Sequence, residues 1–433
     1  MSPLWSNWAG DQRCAPHTIE HPAGEDELVA AVSRAAEVGR CLRVAGSGHS
    51  FTDIACTDDH MLCLDRMDRV LAADAETGVV RVQAGITLAK LGRELSERGL
   101  AMENQGDIDA QQLGGALSTA THGTGLRFPN LSAQVVELRL VSADGEALEL
   151  SAESDPEAFL AARVGLGALG VLSEITLRCV PRFTIHRVDE PRPLDETLAR
   201  IASLASESDH FEFYAFPYSN VALTRTSERT DREPRPESAL LAYLREGVLE
   251  NRLVDLAGRL GRALPATIPA LNRGLAALSG RAEKTDYSYR VYASRREVPF
   301  TEMEYAIPGA AAAEAVRRVL DLVERRRLGV SFPIEVRFTA GDDAFLSTAH
   351  ARETCYIAVH QYRGMEFETY FRSVEEIMNE YGGRPHWGKR HYQSAATLAE
   401  RYPQWDRFHA TRARLDPGGL FRNDYVDRVL GPI

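Results

Sequence analysis

Three features of the sequence predict an α+β fold. Strand-like and helix-like runs follow one another without the strict βαβ alternation of a doubly wound parallel sheet. A β-hairpin can be read in the first half, and the texture changes after Pro181 from closely spaced elements to mixed strand and loop.

Each element follows from local pattern. Over 24–39, Leu28, Val29, Val32, Ala35 and Ala36 recur at helical spacing, and 41–45 then turns to a short β-prone run. A strand at 79–84 ends at Gly85, and a helix over 87–98 carries Leu88, Leu91 and Leu95 before Gly99 stops it. The hairpin spans 136–150: Val136, Leu138 and Leu140 alternate on one arm, Leu148 and Leu150 on the other, around Ala143-Asp144-Gly145. Ser154-Asp155-Pro156 opens a helix with proline in its first turn, and 169–180 is β-rich up to Pro181. Beyond it the pattern predicts a helix over 239–263, a strand at 303–307, an Ala-rich helix at 310–326, strands at 333–338 and 356–361, and a helix at 366–381. No internal repeat is present.

Composition narrows the function. Fifty Lys and Arg against 62 Asp and Glu give a formal charge of −12, with 44% hydrophobic residues. An acidic chain with dispersed cations lacks the footprint for nucleic acid or an anionic membrane surface, which favours small-molecule partners. The start, MSPLWSNWAGDQRC, has no basic and apolar leader, and no stretch approaches the about 20 apolar residues of a membrane span, so the cytoplasm is the expected compartment. Cys14, Cys41, Cys56, Cys63, Cys179 and Cys355 form no CxxC pair and are read as buried thiols. His386 and His391 flank Trp-Gly-Lys-Arg, whose cations oppose a metal, so none is expected. There is no HExxH, no P-loop and no GxSxG elbow for a hydrolytic serine.

Two glycine-rich segments look chemically committed. Gly165-Leu166-Gly167-Ala168-Leu169-Gly170 fits GxGxxG, yet it follows a helix and leads into a strand, the reverse of a dinucleotide fingerprint. Val44-Ala45-Gly46-Ser47-Gly48-His49-Ser50 follows a strand directly, and its glycines permit the positive φ that gathers N–H groups around an anion. The small residues from Gly114 to Gly125 suit a backbone lying against a flat ligand.

Later, Glu335 and Arg337 share one face of a predicted strand, and Tyr356, His360 and Tyr362 share one face of the next. If those strands are neighbours, Glu335, Arg337, His360 and Tyr362 line one cavity suited to a hydroxyl-rich ligand; the competing reading is a surface ion pair on a solvated sheet edge.

In combination, AGSGHSFTDIA (45–55), GGALSTATHGTG (114–125) and GGRPHWGK (382–389) resemble flavoproteins of the vanillyl-alcohol oxidase type, within them the aldonolactone oxidoreductases and alditol oxidases. The similarity covers essentially the whole chain. It implies a two-part FAD-binding domain (1–181), an α+β substrate cap (182–388) and a C-terminal segment returning to the FAD-binding domain (389–433). By the same resemblance, His49 matches the histidine bonded to the 8α-methyl of the flavin. Gly46, Ser47, Gly48 and Ser50 would bind the diphosphate; Ser118, Thr119, Thr121, His122, Gly123 and Gly125 would line the flavin; Gly167, Gly170 and Val171 would form a third contact. Glu335, Arg337, Lys389 and His360 match substrate-site positions, while Tyr362 stands where alditol oxidases carry Thr. The implied activity is oxidation of an aldono-1,4-lactone, such as L-gulono- or D-arabinono-1,4-lactone, by hydride transfer to flavin N5, with O2 or another acceptor taking the electrons. An alditol oxidase and a non-catalytic flavin protein are the alternatives.

Overall fold

The computed structural model describes residues 3–236, 251–294 and 296–433. Its apolar residues gather into two cores. The first is built on a three-stranded parallel sheet, in the order Thr18–Glu20, His60–Cys63, Leu42–Ala45, and a five-stranded antiparallel sheet, in the order Ala147–Ser151, Val135–Val141, Val171–Arg178, Val79–Gln83, Val70–Ala73. The expected helix is Glu25–Glu37 and buries Leu28, Ala31, Val32 and Ala35. The expected hairpin pairs Leu140 with Leu148 and Leu138 with Leu150, so both arms turn the same leucines inward. Asp155 caps its helix by accepting the Ala158 N–H, with Pro156 at the first turn.

The last part of the chain comes back to this core. Trp387 and the helices Trp405–Leu415 and Asp424–Leu430 pack into it, as do Ala344, Phe345 and Leu346. Trp387 is fully buried and donates its indole N–H to the Leu346 carbonyl at 2.8 Å, which satisfies its one polar atom.

The second core lies under an eight-stranded antiparallel sheet. Its order is Ala282–Tyr287, Thr184–Pro193, Val221–Thr230, His210–Ala215, Ile334–Thr339, Thr354–Tyr362, Phe300–Pro308, Arg384–Pro385. Period-2 alternation gives this sheet two unlike faces. One carries Phe211, Phe213, Val336, Ile357 and Met303 against the helices Ala312–Arg325 and Glu368–Glu380. The other carries Glu212, Glu335, Arg337, His360, Glu302 and Glu304. The two strands of the predicted polar cluster are neighbours, with Arg337 opposite Tyr356 and Glu335 opposite Ala358; Glu302 stands opposite His360.

Several expectations need correction. Only Cys179 and Cys355 are buried; the other four thiols are partly exposed, because they sit at strand ends and in loops. The Gly-rich 114–118 run, for which no secondary structure was expected, forms most of a short helix, Leu113–Ser118, in which Ser118 and Thr119 return their hydroxyls to the carbonyls of Gly114 and Gly115. The predicted helix over 239–263 is seen as Leu253–Ala263; 239–250 lies outside the described residues. Two short helices, Leu194–Ala199 and Ile201–Glu207, had no counterpart in the reading of the sequence.

Candidate active site

A groove with two chambers runs where the cores meet. The first, about 960 Å³, is lined largely by backbone: Gly46, Ser47, Gly48, Gly114, Gly115, Leu166, Gly167, Gly170 and Val171. Gly48 has φ +72°, and a Cβ there would lie 3.2 Å from the Asn7 Cα. The N-terminal segment clamps this loop, with the Trp8 N–H donating to the Gly48 carbonyl (2.8 Å) and the Asn7 amide to the Ser50 carbonyl (2.9 Å). Gly170, at φ +150°, could not hold a Cβ, which would sit 2.5 Å from Leu140. Gly115 is the opposite case. A Cβ there meets nothing within 4 Å and would stand in the groove itself.

One full charge adjoins this glycine floor. Arg43 is buried, lines the chamber and donates only to carbonyls, those of Ile54, Leu166, Gly167 and Phe421. Burial lowers its pKa to about 10, which still leaves it charged at neutral pH. All five of its N–H donors are spent on these carbonyls, so toward the diphosphate of the expected FAD it offers a nearby positive charge rather than a hydrogen bond, while the floor that excludes side chains leaves the phosphates room.

His49 lines both chambers. Its ring stacks on Trp8 (5.4 Å between centroids, 23°), and no described residue hydrogen-bonds it. Burial, reinforced by the Lys389 charge, lowers its pKa to about 4, so the imidazole is neutral and keeps a nucleophilic lone pair at pH 7.

The second chamber, about 1120 Å³, is walled by side chains: Asp107, Arg296, Glu302, Glu304, Arg337, His122, His386 and Lys389, with Thr119 and Thr121 on the side of the first chamber. Arg337 is ion-paired with Glu335, Glu212 (2.8 Å) and Asp107 (3.4 Å), and Arg296 reaches Asp107 at 3.2 Å. Lys389 is ion-paired with Glu302. Burial opposes charge on all of these groups, but the pairings outweigh it: Asp107, Glu212, Glu302 and Glu304 are held below the usual carboxylate range, and Lys389 and Arg337 above their ordinary values. Glu335 departs from the pattern. Burial pushes it up, and Asp107 and Glu212 add to the push against the opposing charge of Arg337.

His122, Glu304 and His386 each bring one atom within 4.8 Å of the others. Their hydrogen bonds fix the protons. His122 Nδ1 donates to the Gly123 carbonyl (2.8 Å), and its Nε2 lies 3.2 Å from the Glu304 carboxylate. His386 Nδ1 accepts the Gly388 N–H (3.0 Å), leaving the proton on Nε2, and burial lowers its pKa to about 3. His386 is therefore a neutral donor beside the His122–Glu304 contact.

The structure sorts the sequence-predicted residues. Arg337, Lys389, Thr119, Thr121 and His122 stand in the wall of the second chamber, and Gly46, Ser47, Gly48, Ser118, Gly167, Gly170 and Val171 in that of the first; Ser50 touches both. Glu335 and His360 stand behind the wall: Glu335 pairs with Arg337, and His360 Nε2 lies 3.5 Å from Glu302. Gly123 packs against Asn104 and Gln105, and Gly125 ties the loop to the cap through its N–H to the Phe338 carbonyl (2.7 Å). Tyr362 is removed from the cavity, bonding Asp255 at 2.6 Å beneath the helix Leu253–Ala263.

Asp107, Arg296, Glu302 and Glu304 went unassigned. Glu302 and Glu304 alternate with Met303 and Tyr305, the same signal that singled out Glu335 and Arg337. Asp107 and Arg296 lie in irregular segments and carry no periodic signal.

Comparisons with known proteins identify the family. Residues 16–151 match the FAD binding domain family and residues 175–429 the family D-arabinono-1,4-lactone oxidase. The chain is 56% identical over 432 residues to L-gulono-1,4-lactone dehydrogenase of Mycobacterium tuberculosis, covering 100% of both, and 34% identical to L-gulonolactone oxidase of Bos taurus, covering 98% of both. Among solved structures, cholesterol oxidase from Brevibacterium sterolicum superposes with a TM-score of 0.84 over 100% of this chain and 97% of that one; at 17% identity this likeness concerns the fold.

Proposed function

Since the chain belongs to the D-arabinono-1,4-lactone oxidase family and is an FAD-dependent aldonolactone oxidoreductase, we propose that Arg337 and Lys389 act on a lactone held in the second chamber. L-Gulono-1,4-lactone is the first substrate to try, because the 56% identical relative bears that name. FAD, when bound, takes up a hydride at N5 from the carbon that carries the reacting hydroxyl, and the electrons pass on to dioxygen or another acceptor.

The chain's own part is electrostatic. The two cations in the wall favour the alkoxide-like form of the hydroxyl as hydrogen leaves its carbon as hydride and its oxygen gives up a proton to water, in a site where burial strengthens each interaction. Their paired carboxylates keep them charged and fixed before substrate arrives, so little reorganisation is needed at the moment of reaction. Glu302 and Glu304, held ionised, accept hydrogen bonds from the remaining hydroxyls of the lactone. Glu335 acts through Arg337 and His360 through Glu302, as positioning residues. The glycine floor would hold the diphosphate, with the charge of Arg43 close by, and His49 would carry the covalent link to the flavin.

The observation that carries this reading is the presence of both cations, each tied to carboxylates, in the wall that begins at His49. Stopped-flow bleaching of the flavin under anaerobic conditions tests it, with L-gulono-1,4-lactone, D-arabinono-1,4-lactone and xylitol as substrates. Bleaching by the lactones that is lost in Arg337→Ala and Lys389→Ala supports the proposal. Unchanged bleaching in both variants, or bleaching by xylitol alone, contradicts it.

A further inference from the structure

The N-terminal segment is tied closely to the loop that carries His49. The strands Trp5–Ser6 and Arg13–Cys14 pair with each other, Trp5 opposite Cys14. This small ribbon lies over 48–51: besides the bonds from Trp8 to Gly48 and from Asn7 to Ser50, the Gln12 side-chain amide donates to the Phe51 carbonyl (3.1 Å). The two segments then run on side by side. The Ala15 N–H donates to the Asp58 carboxylate (3.1 Å), the His17 N–H to the Asp58 carbonyl (2.9 Å), and Thr18 stands opposite His60 in the parallel sheet. The same register, carried back along both segments, sets Cys14 beside Cys56.

The two thiols touch, the Cys56 S–H donating to the Cys14 sulfur. Both residues are partly exposed, and neither lines either chamber. Cys56 is held in place by its own backbone, its N–H on the Asp53 carbonyl (2.9 Å) and its carbonyl accepting the Asn423 side-chain amide (2.9 Å). Cysteines on neighbouring segments with their sulfurs in contact need no backbone movement to bring those sulfurs together. The pair is also asymmetric. Burial, with Cys14 alongside, pushes the Cys56 thiol up to about 12, so Cys56 keeps its proton at neutral pH and Cys14 is the partner left to attack first.

We propose that Cys14 and Cys56 form a reversible disulfide that fastens the N-terminal segment over the His49 loop. The oxidant is a low-molecular-weight disulfide. The Cys14 thiolate attacks one of its sulfurs, breaking that S–S bond and releasing one thiolate; Cys56 then gives its proton to water and attacks the Cys14 sulfur, forming the Cys14–Cys56 bond and expelling the second thiolate. Two protein thiols are oxidised, one small disulfide is reduced to two small thiols, and excess small thiol runs the exchange backwards. The bond closes a long loop that contains the strand Leu42–Ala45 and the whole of 45–55, so it removes freedom from the unfolded chain where the cofactor loop is built. Its formation does not depend on which substrate the second chamber takes.

Incubation of the FAD-loaded enzyme with oxidised glutathione, then alkylation of free thiols, digestion without reductant and mass spectrometry test the proposal. The expected result is a peptide pair joined through Cys14 and Cys56 that dithiothreitol separates, with a melting temperature a few degrees above that of the reduced enzyme. Cys14→Ser and Cys56→Ser should each abolish that rise and leave lactone-driven flavin reduction unchanged. Cys56→Ser should retain glutathione on Cys14, whereas Cys14→Ser should leave Cys56 unmodified. Alkylated Cys14 and Cys56 in the treated wild type overturn the proposal. So does a link from either one to another cysteine, or a Cys14–Cys56 link that leaves the melting temperature where it was.

Discussion

The two chambers of the groove are made from different materials. The first is shaped by missing side chains, at Gly46, Gly48, Gly115, Gly167 and Gly170, and carries one charge, Arg43. The second is shaped by charged side chains that satisfy one another, Arg337 with Asp107 and Glu212, Lys389 with Glu302. A chamber built from absence is sensitive to added volume, and one built from pairs is sensitive to lost charge. Substitutions that separate those sensitivities sharpen the contrast, and those that blur them break it.

The largest effect is expected from Arg337→Ala. Flavin reduction by lactone should slow by about 10²–10³-fold, while FAD content, governed by the other chamber, stays at the wild-type level. Loss of FAD in this variant, measured from the visible spectrum of purified protein, would mean that the chambers are not separable. Next comes Gly115→Val. Its side chain meets no protein atom near its Cβ, so the fold should survive with a melting temperature close to that of the flavin-free wild type, yet FAD occupancy should drop about tenfold or more.

Glu302→Gln probes the pairing itself. Burial opposes the Lys389 charge and Glu302 is the leading force restoring it, so the alkaline limb of lactone-driven flavin reduction should move to lower pH. An unmoved limb would leave Lys389 out of the rate. A last test concerns stability rather than rate. His210, His386 and His391 have folded pKa values of about 4, 3 and 3, lowered by burial. Unfolding exposes rings that titrate near 6.5, so between pH 6.5 and 4 the unfolded chain binds more protons and stability falls as the pH falls. Near pH 5 these three rings take up about three protons on unfolding. Urea denaturation at pH 7 and pH 5 checks the sign.

What could be read from the sequence followed the same division. Glycines announce a backbone-built chamber, because few other uses demand so many small residues between Gly114 and Gly125, and the motif around His49 stands directly after a strand. Alternation exposed Glu335 and Arg337, and the same rule would have picked out Glu302 and Glu304 one strand away had it been applied to 300–308. Period alone, however, tells which face a residue is on, not how far along the sheet the cavity reaches. His360 and Tyr362 share the face of Tyr356, yet Tyr362 is capped by the helix Leu253–Ala263 and His360 sits behind Glu302. Asp107 and Arg296 enter from irregular segments distant in sequence, and only the folded groove brings Asp107 between Arg296 and Arg337.

The account stands on one cofactor joining both chambers at His49, a side chain that lines both walls. Mass spectrometry of the peptide that contains His49, from acid-precipitated and protease-digested enzyme, tests this most directly. The account predicts a yellow precipitate and a peptide heavier by one FAD; an unmodified His49 peptide from a colourless precipitate, with all flavin in the supernatant, would contradict it.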